Sequence, residues 1–302
     1  MAQHVRISTL RAEIARAVGF PPEAKFTLRK RDGSPIDQRI SFAESGIGRD
    51  GIVLVEQNGT GPHFPTNLPW RRNTFRGPSA YRVLPIYLAI DTSWTMNVDI
   101  MDRINEELAE LRLTMLREPR LCEICHVSVL TFDDTARVAL PLTDVSRVTM
   151  PPLHADGRGT AYGPLFELLR TTIAADLYDL MRSGRRPYRP AVFFLSDGQP
   201  TDDDRAWRAR HSALTDPRGF HGAPHVVAFG FGEATAATIR AVGTLRAYRR
   251  PAAEITSFMD VLLTSLLHST RRAGPGDDPF ELDDDAPPGW ERLPDAPPEE
   301  DA

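Results

Sequence analysis

The chain has 302 residues, of which 41% are apolar and 25% are charged, and its formal net charge at neutral pH is −5. This composition is typical of a globular protein with one large or two modest domains, and two cysteines are too few for a secreted disulfide framework. No apolar run approaches the roughly 20 residues of a membrane helix, no signal-peptide pattern opens the chain and no basic block indicates nucleic-acid binding, so we expect a cytoplasmic protein without membrane or nucleic-acid partners.

The first 57 residues form a patterned unit. A short strand is predicted at His4–Ser8, and apolar residues at every fourth position predict a helix over Leu10–Val18. Two further strands are predicted at Phe26–Lys30 and Ile52–Val55. This order resembles the ubiquitin-like β-grasp fold with its first hairpin short or missing. The chain continues without a terminal Gly-Gly, so the resemblance implies an interaction module and not a tag for conjugation.

Two segments have the composition of connecting or disordered chain. Residues 58–81 are rich in Gly, Pro and Asn, which predicts a linker. Residues 272–302 are Pro-rich and acidic, since the last thirty residues hold eleven Asp or Glu and one Arg. Residues 273–302 therefore carry a net charge of −10, and the rest of the chain carries a net charge of +5. With few apolar groups to bury, 272–302 is predicted to be a disordered tail, and its charge makes it a candidate intramolecular ligand for a cation site.

Residues 82–271 alternate strand and helix patterns, which predicts an α/β domain with a doubly wound, mostly parallel sheet flanked by helices. The run "VLPIYLAI" is apolar throughout, as a buried central strand requires. The predicted strands are Val83–Ile90, Val127–Phe132, Arg137–Leu142, Ala191–Leu195 and His225–Phe231. The predicted helices are a long one lined by Ile100, Ile104, Leu108, Leu111 and Met115, then Thr160–Leu180 and Glu254–His268.

Three loops at the ends of predicted strands or starts of helices carry oxygen donors. They contribute Asp91, Ser93 and Thr95, then Thr160, and finally Asp197. Loops at the carboxyl ends of parallel strands converge on one crevice. Two carboxylates and three hydroxyls, without His or Cys, suit a hard cation such as Mg²⁺, or alternatively Mn²⁺ or Ca²⁺. Such a site leaves the metal with positive charge and an open position that an acidic group from another protein could fill.

The motifs "DTSWT", "GRGT" and "FFLSDGQPTDD" resemble the metal-ion-dependent adhesion site (MIDAS) of von Willebrand factor A (vWA) domains. The longer stretches "LPIYLAIDTSWTM" and "VSVLTFDDTARVALPLTDV" are similar to those of the bacterial tellurium-resistance, TerY-type vWA family. The resemblance implies that Ser93, Thr95 and Thr160 are hydroxyl ligands and that Asp91 and Asp197 hold the metal directly or through water. It also implies a non-enzymatic adaptor in a bacterial stress-response or conflict system, where kinases and phosphatases accompany such proteins.

The chain departs from this family at two positions next to the ligands. Trp94 stands where the family has Gly, and it either caps the site or contacts a partner. Arg158 replaces the first Gly of "GGT", where a cation either repels the metal or binds an incoming carboxylate. Thr95 replaces Ser and keeps the hydroxyl.

Other interpretations remain open at this stage. Any one of the three loops alone is explained by helix N-capping. Asp133 and Asp134 are expected in a turn, with an outer metal shell as the alternative, and Asp202–Asp204 at an exposed helix start. Cys122 and Cys125 are expected to be buried thiols, because a zinc site needs more ligands.

Two other functions are considered for the whole chain. One is a scaffold whose metal site is vestigial. The other is a Mg²⁺-dependent phosphohydrolase with Asp91 as the nucleophile, although the second Asp that such a site requires is replaced by Ser93.

Overall fold

The computed structural model describes residues 26–30, 53–57, 60–62, 82–250, 286 and 289–294. They fall into two compact units, one that contains the strands before residue 81 together with Thr171–Asp179, and one that contains the larger sheet. The predicted helix over Leu10–Val18, the strand at His4–Ser8 and the helix over Glu254–His268 lie outside the described residues.

The smaller unit contributes a three-stranded antiparallel sheet. Its strands are β1 (Phe26–Lys30), β2 (Val53–Gln57) and β3 (Thr60–Pro62), in that order across the sheet. The first two match predicted strands, although β2 begins one residue and ends two residues later than predicted. The third lies inside the predicted linker of 58–81, because the chain turns back after Gln57 and pairs again with β2.

The larger unit is built on an eight-stranded mixed sheet. Its strands are β4 (Arg82–Asp91), β5 (Cys125–Phe132), β6 (Ala136–Asp144), β7 (Arg186–Pro187), β8 (Ala191–Ser196), β9 (His225–Gly230), β10 (Arg246–Arg249) and β11 (Glu291–Arg292). The order across the sheet is β6-β5-β4-β8-β9-β10-β11, and the short β7 pairs with the start of β4. All neighbours run parallel except β5 with β6 and β10 with β11.

This strand order places a topological switch point between β4 and β8. The chain starts in the middle at β4 and moves outward through β5 and β6. It then returns to the other side of β4 and moves outward again through β8, β9 and β10. Ligand sites of doubly wound sheets lie at this point, outside the carboxyl ends of the strands. Asp91 is the last residue of β4, and Asp197 directly follows β8.

Helices cover both faces of the sheet, as the sequence predicts. They are α1 (Val98–Arg117), α2 (Pro119–Ile124), α3 (Tyr162–Arg182), α4 (Asp204–Thr215) and α5 (Ala236–Val242). The buried stripe of α1 packs with one set of β4 side chains, including Leu88 and Ile90. On the opposite face, aromatic rings from β8, α3 and α4 pack on one another, as Phe194, Tyr162 and Trp207 do.

The structure corrects the prediction of a disordered tail for residues 289–294. Glu291 and Arg292 form β11 on the outer edge of β10, and Trp290 and Leu293 are buried. Composition averaged over thirty residues hides these two apolar anchors. The remaining tail residues, apart from Ala286, lie outside the described part of the chain.

Within the described ranges, no helix combines the length and the apolar character that a bilayer-spanning segment requires.

Candidate metal centre

Asp91 is at the centre of the candidate site and is fully buried. Its Oδ1 accepts a 2.9 Å hydrogen bond from the backbone N–H of Ser93, and its Oδ2 accepts a 2.6 Å bond from the hydroxyl of Ser196. The first bond shapes the turn that leaves β4, and the second joins the ends of β4 and β8. Both carboxylate oxygens are therefore fixed in position by the protein.

Ser93 and Thr95 occupy a tight turn between β4 and α1. Ser93 precedes a single 3-10 turn over Trp94–Met96, and Met96 is buried beneath it. The hydroxyls of Ser93 and Thr95 lie 3.0 Å apart, and the Thr95 hydroxyl donates a 3.0 Å hydrogen bond to Oδ1 of Asp197. Three of the predicted ligand oxygens thus form one continuous chain across the switch point.

The loop that carries Thr160 is tied to the turn after β4. The backbone N–H of Gly157 donates to the carbonyl of Thr92, and Gly157 forms an isolated parallel bridge with Ser93. A side chain at Gly157 would place its Cβ 2.0 Å from the Cβ of Asp133. Only glycine allows this approach, which is why the loop can lie so close.

Asp133 and Asp134 hold this loop from the turn after β5. Asp133 accepts from Thr135 and Arg137, and its carbonyl accepts from the backbone N–H of Ala161. The carboxylate of Asp134 accepts a 3.0 Å bond from the backbone N–H of Arg158. The turn interpretation is confirmed, and both residues position the loop around Thr160.

Thr160 lies beside the loop that carries Asp197. Its backbone and that of Thr201 are joined by a 3.0 Å hydrogen bond from the Thr201 N–H to the Thr160 carbonyl. A Cβ added at Gly198 would lie 3.2 Å from the Thr160 hydroxyl oxygen, so that hydroxyl faces the backbone next to Asp197. All five predicted ligand residues therefore gather at one edge of the sheet.

The pKa values of both carboxyl groups are raised. Burial raises the pKa of Asp91 to about 7, against the lowering effect of its hydrogen bonds, and Asp197 adds repulsion. Burial also raises the pKa of Asp197, while its bond from Thr95 acts in the opposite direction. In the described ranges no Arg, Lys or His side chain forms an ion pair with either group. Two acidic groups thus share a buried site without a protein cation.

The donor set fits a hard divalent cation. Ligand oxygens on neighbouring positions of an octahedral Mg²⁺ site are about 3.0 Å apart, since Mg–O distances are about 2.1 Å. The separations from Ser93 to Thr95 and from Thr95 to Asp197 have this value. A bound cation would also remove the repulsion between the carboxylates. No cluster of three or more His, Cys, Asp or Glu side chains suited to a metal is found in the described residues.

Sequence reasoning missed three residues that build the site. Ser196 donates to Asp91, and the hydroxyl of Tyr162 donates to the Gly198 carbonyl at 3.0 Å. Asp202 accepts from the backbone N–H groups of Tyr162 and Gly163, at 3.0 and 2.7 Å. The prediction that Asp202 shares an exposed helix start is therefore wrong, although Asp203 does cap α4. Asp202 instead caps α3, which begins at Tyr162 and not at Thr160 as predicted.

The two residues that depart from the vWA pattern are exposed beside the site. Trp94 is 69% exposed, and the side chain of Arg158 is exposed as well. The parallel bridge between Ser93 and Gly157 makes them the next residues on two adjacent segments. In the described part of the chain neither side chain makes a ring contact or an ion pair, so both are available to a molecule that approaches the site.

The cysteines are apart from this centre. Cys125 is buried in β5 and Cys122 is partly buried in α2, and both thiols are free. Burial raises the pKa of the Cys125 thiol well above its usual range, so the thiol is unreactive. The prediction for Cys125 is confirmed, whereas Cys122 is less buried than expected.

Comparison with known proteins gives similar folds at low sequence identity. No family model matches the chain, and no curated protein is similar to it. One similar structure is a von Willebrand factor type A protein from Catenulispora acidiphila, at 13% identity and a TM-score of 0.38, covering 74% of this chain and 45% of that one. Another is the ArnB paralog VWA2 from Sulfolobus acidocaldarius, at 13% identity and a TM-score of 0.37, covering 82% and 54%.

A third similar structure is proximal thread matrix protein 1 from the mussel byssus, which has a zinc-occupied MIDAS motif. Its identity is 15% and its TM-score 0.39, covering 56% of this chain and 43% of that one. The chain thus spans about half the length, or less, of these three proteins.

Proposed function

We propose that the chain is a non-enzymatic, metal-dependent protein-interaction module of the vWA type. One observation carries the proposal: two buried carboxylates, Asp91 and Asp197, share the switch point of a doubly wound sheet without a neutralising side chain. Ser93, Thr95 and Thr160 would complete the protein ligands of Mg²⁺, or of Mn²⁺ or Ca²⁺ in its place. When bound, the cation supplies positive charge and an open coordination position.

The partner we propose is a protein that offers an acidic residue to this position. Arg158 supports this choice, because an exposed cation beside the site attracts a carboxylate before and after it binds. The exposed ring of Trp94 provides apolar surface next to the same position. Specificity would then come from the residues that flank the acidic group of the partner.

More specifically, we propose that the chain is a TerY-type adaptor of a bacterial stress-response or conflict system. It would work in the cytoplasm with a kinase or phosphatase. The ubiquitin-like unit would supply a second contact. The motif resemblance supports the adaptor role and its system, and the antiparallel pairing of β1 and β2 is compatible with the ubiquitin-like unit.

Calorimetric titration with Mg²⁺ and with Mn²⁺ tests the metal site. The wild-type chain should bind one ion and gain thermal stability, and Asp91→Ala and Ser93→Ala should lose both effects. Thr143→Ala is a matched control, because its hydroxyl donates a 2.7 Å hydrogen bond to the Pro141 carbonyl within β6. Absence of heat and of a thermal shift in wild type would contradict the proposal and favour a scaffold with a vestigial site.

A pull-down from cell extract with and without chelator tests the interaction. Partners of the metal site should be retained only without chelator, and Asp91→Ala should lose them under both conditions. A set of bound proteins that is the same in all samples would exclude metal-dependent binding.

A phosphohydrolase is disfavoured by the position of Asp91. A nucleophilic carboxylate needs access to the phosphorus atom, whereas Asp91 is fully buried and each of its oxygens accepts a hydrogen bond. Incubation with Mg²⁺ and a generic phosphoester checks this directly. Turnover that disappears in Asp91→Ala would overturn the non-enzymatic proposal.

A further inference from the structure

The outer edge of β10 holds a segment that is distant in sequence. The 41 residues between β10 and β11 separate Arg249 from Glu291, yet the two residues face each other in an antiparallel register. The N–H of Leu293 donates a 2.8 Å hydrogen bond to the carbonyl of Ala247. An edge strand left open exposes such main-chain groups, and here residues 291–293 cover them.

Two side chains anchor this segment. Trp290 is 6% exposed and Leu293 is 8% exposed, whereas Glu291 between them is exposed. The Trp290 ring packs edge-on against Phe229 with centroids 5.2 Å apart, and Phe229 in turn stacks on Tyr248 of β10. The parallel strands β9 and β10 thus form an apolar surface against which Trp290 packs.

A backbone turn precedes the segment and a hydrogen bond holds its other end. Gly289 has a φ of +80°, which lets the chain turn immediately before Trp290. Nε of Arg240 on α5 donates a 3.1 Å hydrogen bond to the carbonyl of Pro294. The contacts therefore span Gly289 to Pro294, a length typical of a docked peptide.

We propose that the edge of β10, together with Phe229 and Arg240, is a docking groove for an extended peptide with the pattern Trp-x-x-Leu. Residues 289–294 fill the groove from within the chain. Main-chain pairing gives affinity in this mode of recognition, and the pockets for Trp and Leu give specificity. A partner protein with the same pattern competes with the chain's own segment, which has the advantage of being covalently attached.

The test uses the full chain with a protease site introduced at residues 276–281. The probe is a fluorescein-labelled peptide of residues 286–297, followed by fluorescence anisotropy. Before cleavage the probe should bind at least about tenfold more weakly than after cleavage, because cleavage and dilution release the internal competitor.

Peptide variants show whether the anchors carry recognition. A probe with Trp290→Ala should bind the cleaved chain at least about tenfold more weakly, whereas one with Glu291→Gln should bind within about twofold. Circular dichroism of the cleaved chain should match that of the intact chain. The proposal is overturned if the cleaved chain unfolds, if its fragment is not displaced by excess peptide, or if the Trp290→Ala probe binds equally well.

Discussion

The hydroxyl of Ser196 donates a 2.6 Å hydrogen bond to Oδ2 of Asp91, 105 positions earlier in the chain. The bond connects the last residues of β8 and β4, the two strands on either side of the switch point. Because Ser196 also accepts a 3.2 Å bond from the backbone N–H of Gly198, it holds the start of the Asp197 loop as well. One hydroxyl therefore sets the relative position of both carboxylates.

Ser196→Ala should weaken metal binding. The change leaves Oδ2 of Asp91 without its donor, so the pKa of Asp91 should rise further above 7 and the free energy of unfolding should fall by about 1–3 kcal/mol. Mn²⁺ calorimetry from pH 6 to 8 measures the shift. Ser128→Ala is the control, since Ser128 is an equally buried strand residue that bonds to the Leu140 carbonyl. An equal effect of both changes on metal affinity would contradict the assignment.

The raised pKa of Asp91 predicts a metal-free protein that loses stability with rising pH. The folded state keeps the proton up to about pH 7, whereas the unfolded state releases it near pH 4. This contribution is fully present below pH 4 and is lost as the pH rises through 7. In EDTA at pH 8, Asp91→Asn should therefore be more stable than wild type by roughly 2–4 kcal/mol.

Urea unfolding at pH 5 and pH 8 measures this difference, with Asp102→Asn as an exposed control. At pH 8, Mg²⁺ should make the wild type more stable than Asp91→Asn, because the ion stabilises only the chain with an ionised Asp91. If the metal-free Asp91→Asn chain were less stable at pH 8, the inference that Asp91 lacks a neutralising partner would be wrong.

Gly157→Ala should separate the Thr160 loop from the turn after β4. The new methyl group would lie 2.0 Å from the Cβ of Asp133, so the backbone has to move, at a cost of about 1–3 kcal/mol. Thermal unfolding and Mn²⁺ calorimetry should both show the loss. Gly219→Ala is the matched control, because its nearest neighbour is at an ordinary 3.4 Å. Unchanged metal affinity in Gly157→Ala would show that the loop does not contribute to the site.

Arg158→Ala should strengthen metal binding and weaken partner binding. Removal of an exposed cation beside the site lowers the repulsion of the metal, which should increase Mn²⁺ affinity roughly two- to fivefold at low salt. The same change removes an attraction for an incoming carboxylate. Arg117→Ala is the control, since Arg117 ends the twenty-residue helix α1 about 30 Å from its start. Equal Mn²⁺ affinities would show that Arg158 points away from the metal.

The sequence predicts the sheet, and it predicts which residues meet at its carboxyl edge, because both depend on local patterns. An unbroken apolar run can form only a buried strand or helix core, which is why β4 is predicted within one residue at each end. Polar residues directly after such runs indicate the carboxyl edge of the sheet. The close approach of Ser93, Thr95 and Asp197 follows from the parallel order of the strands.

The contacts that were missed join residues far apart in sequence. In the sequence Asp202 looks like one of three equivalent acidic residues at the start of α4, and only the folded chain shows that it caps α3 instead. Trp290 lies in an acidic, Pro-rich context, and its burial depends on an open edge at β10. Composition averages cannot identify a single anchor of this kind.

The hydrogen bonds of Asp202 also determine how the effects of substitutions combine. The loop after β8 carries Asp197 at one end and holds the first turn of α3 through Asp202 at the other, while Thr160 precedes that same turn. A change at any of these positions alters the geometry available to the others. Free-energy changes should therefore deviate from additivity by about 0.5–3 kcal/mol, and only double-mutant cycles can assign an energy to one pair.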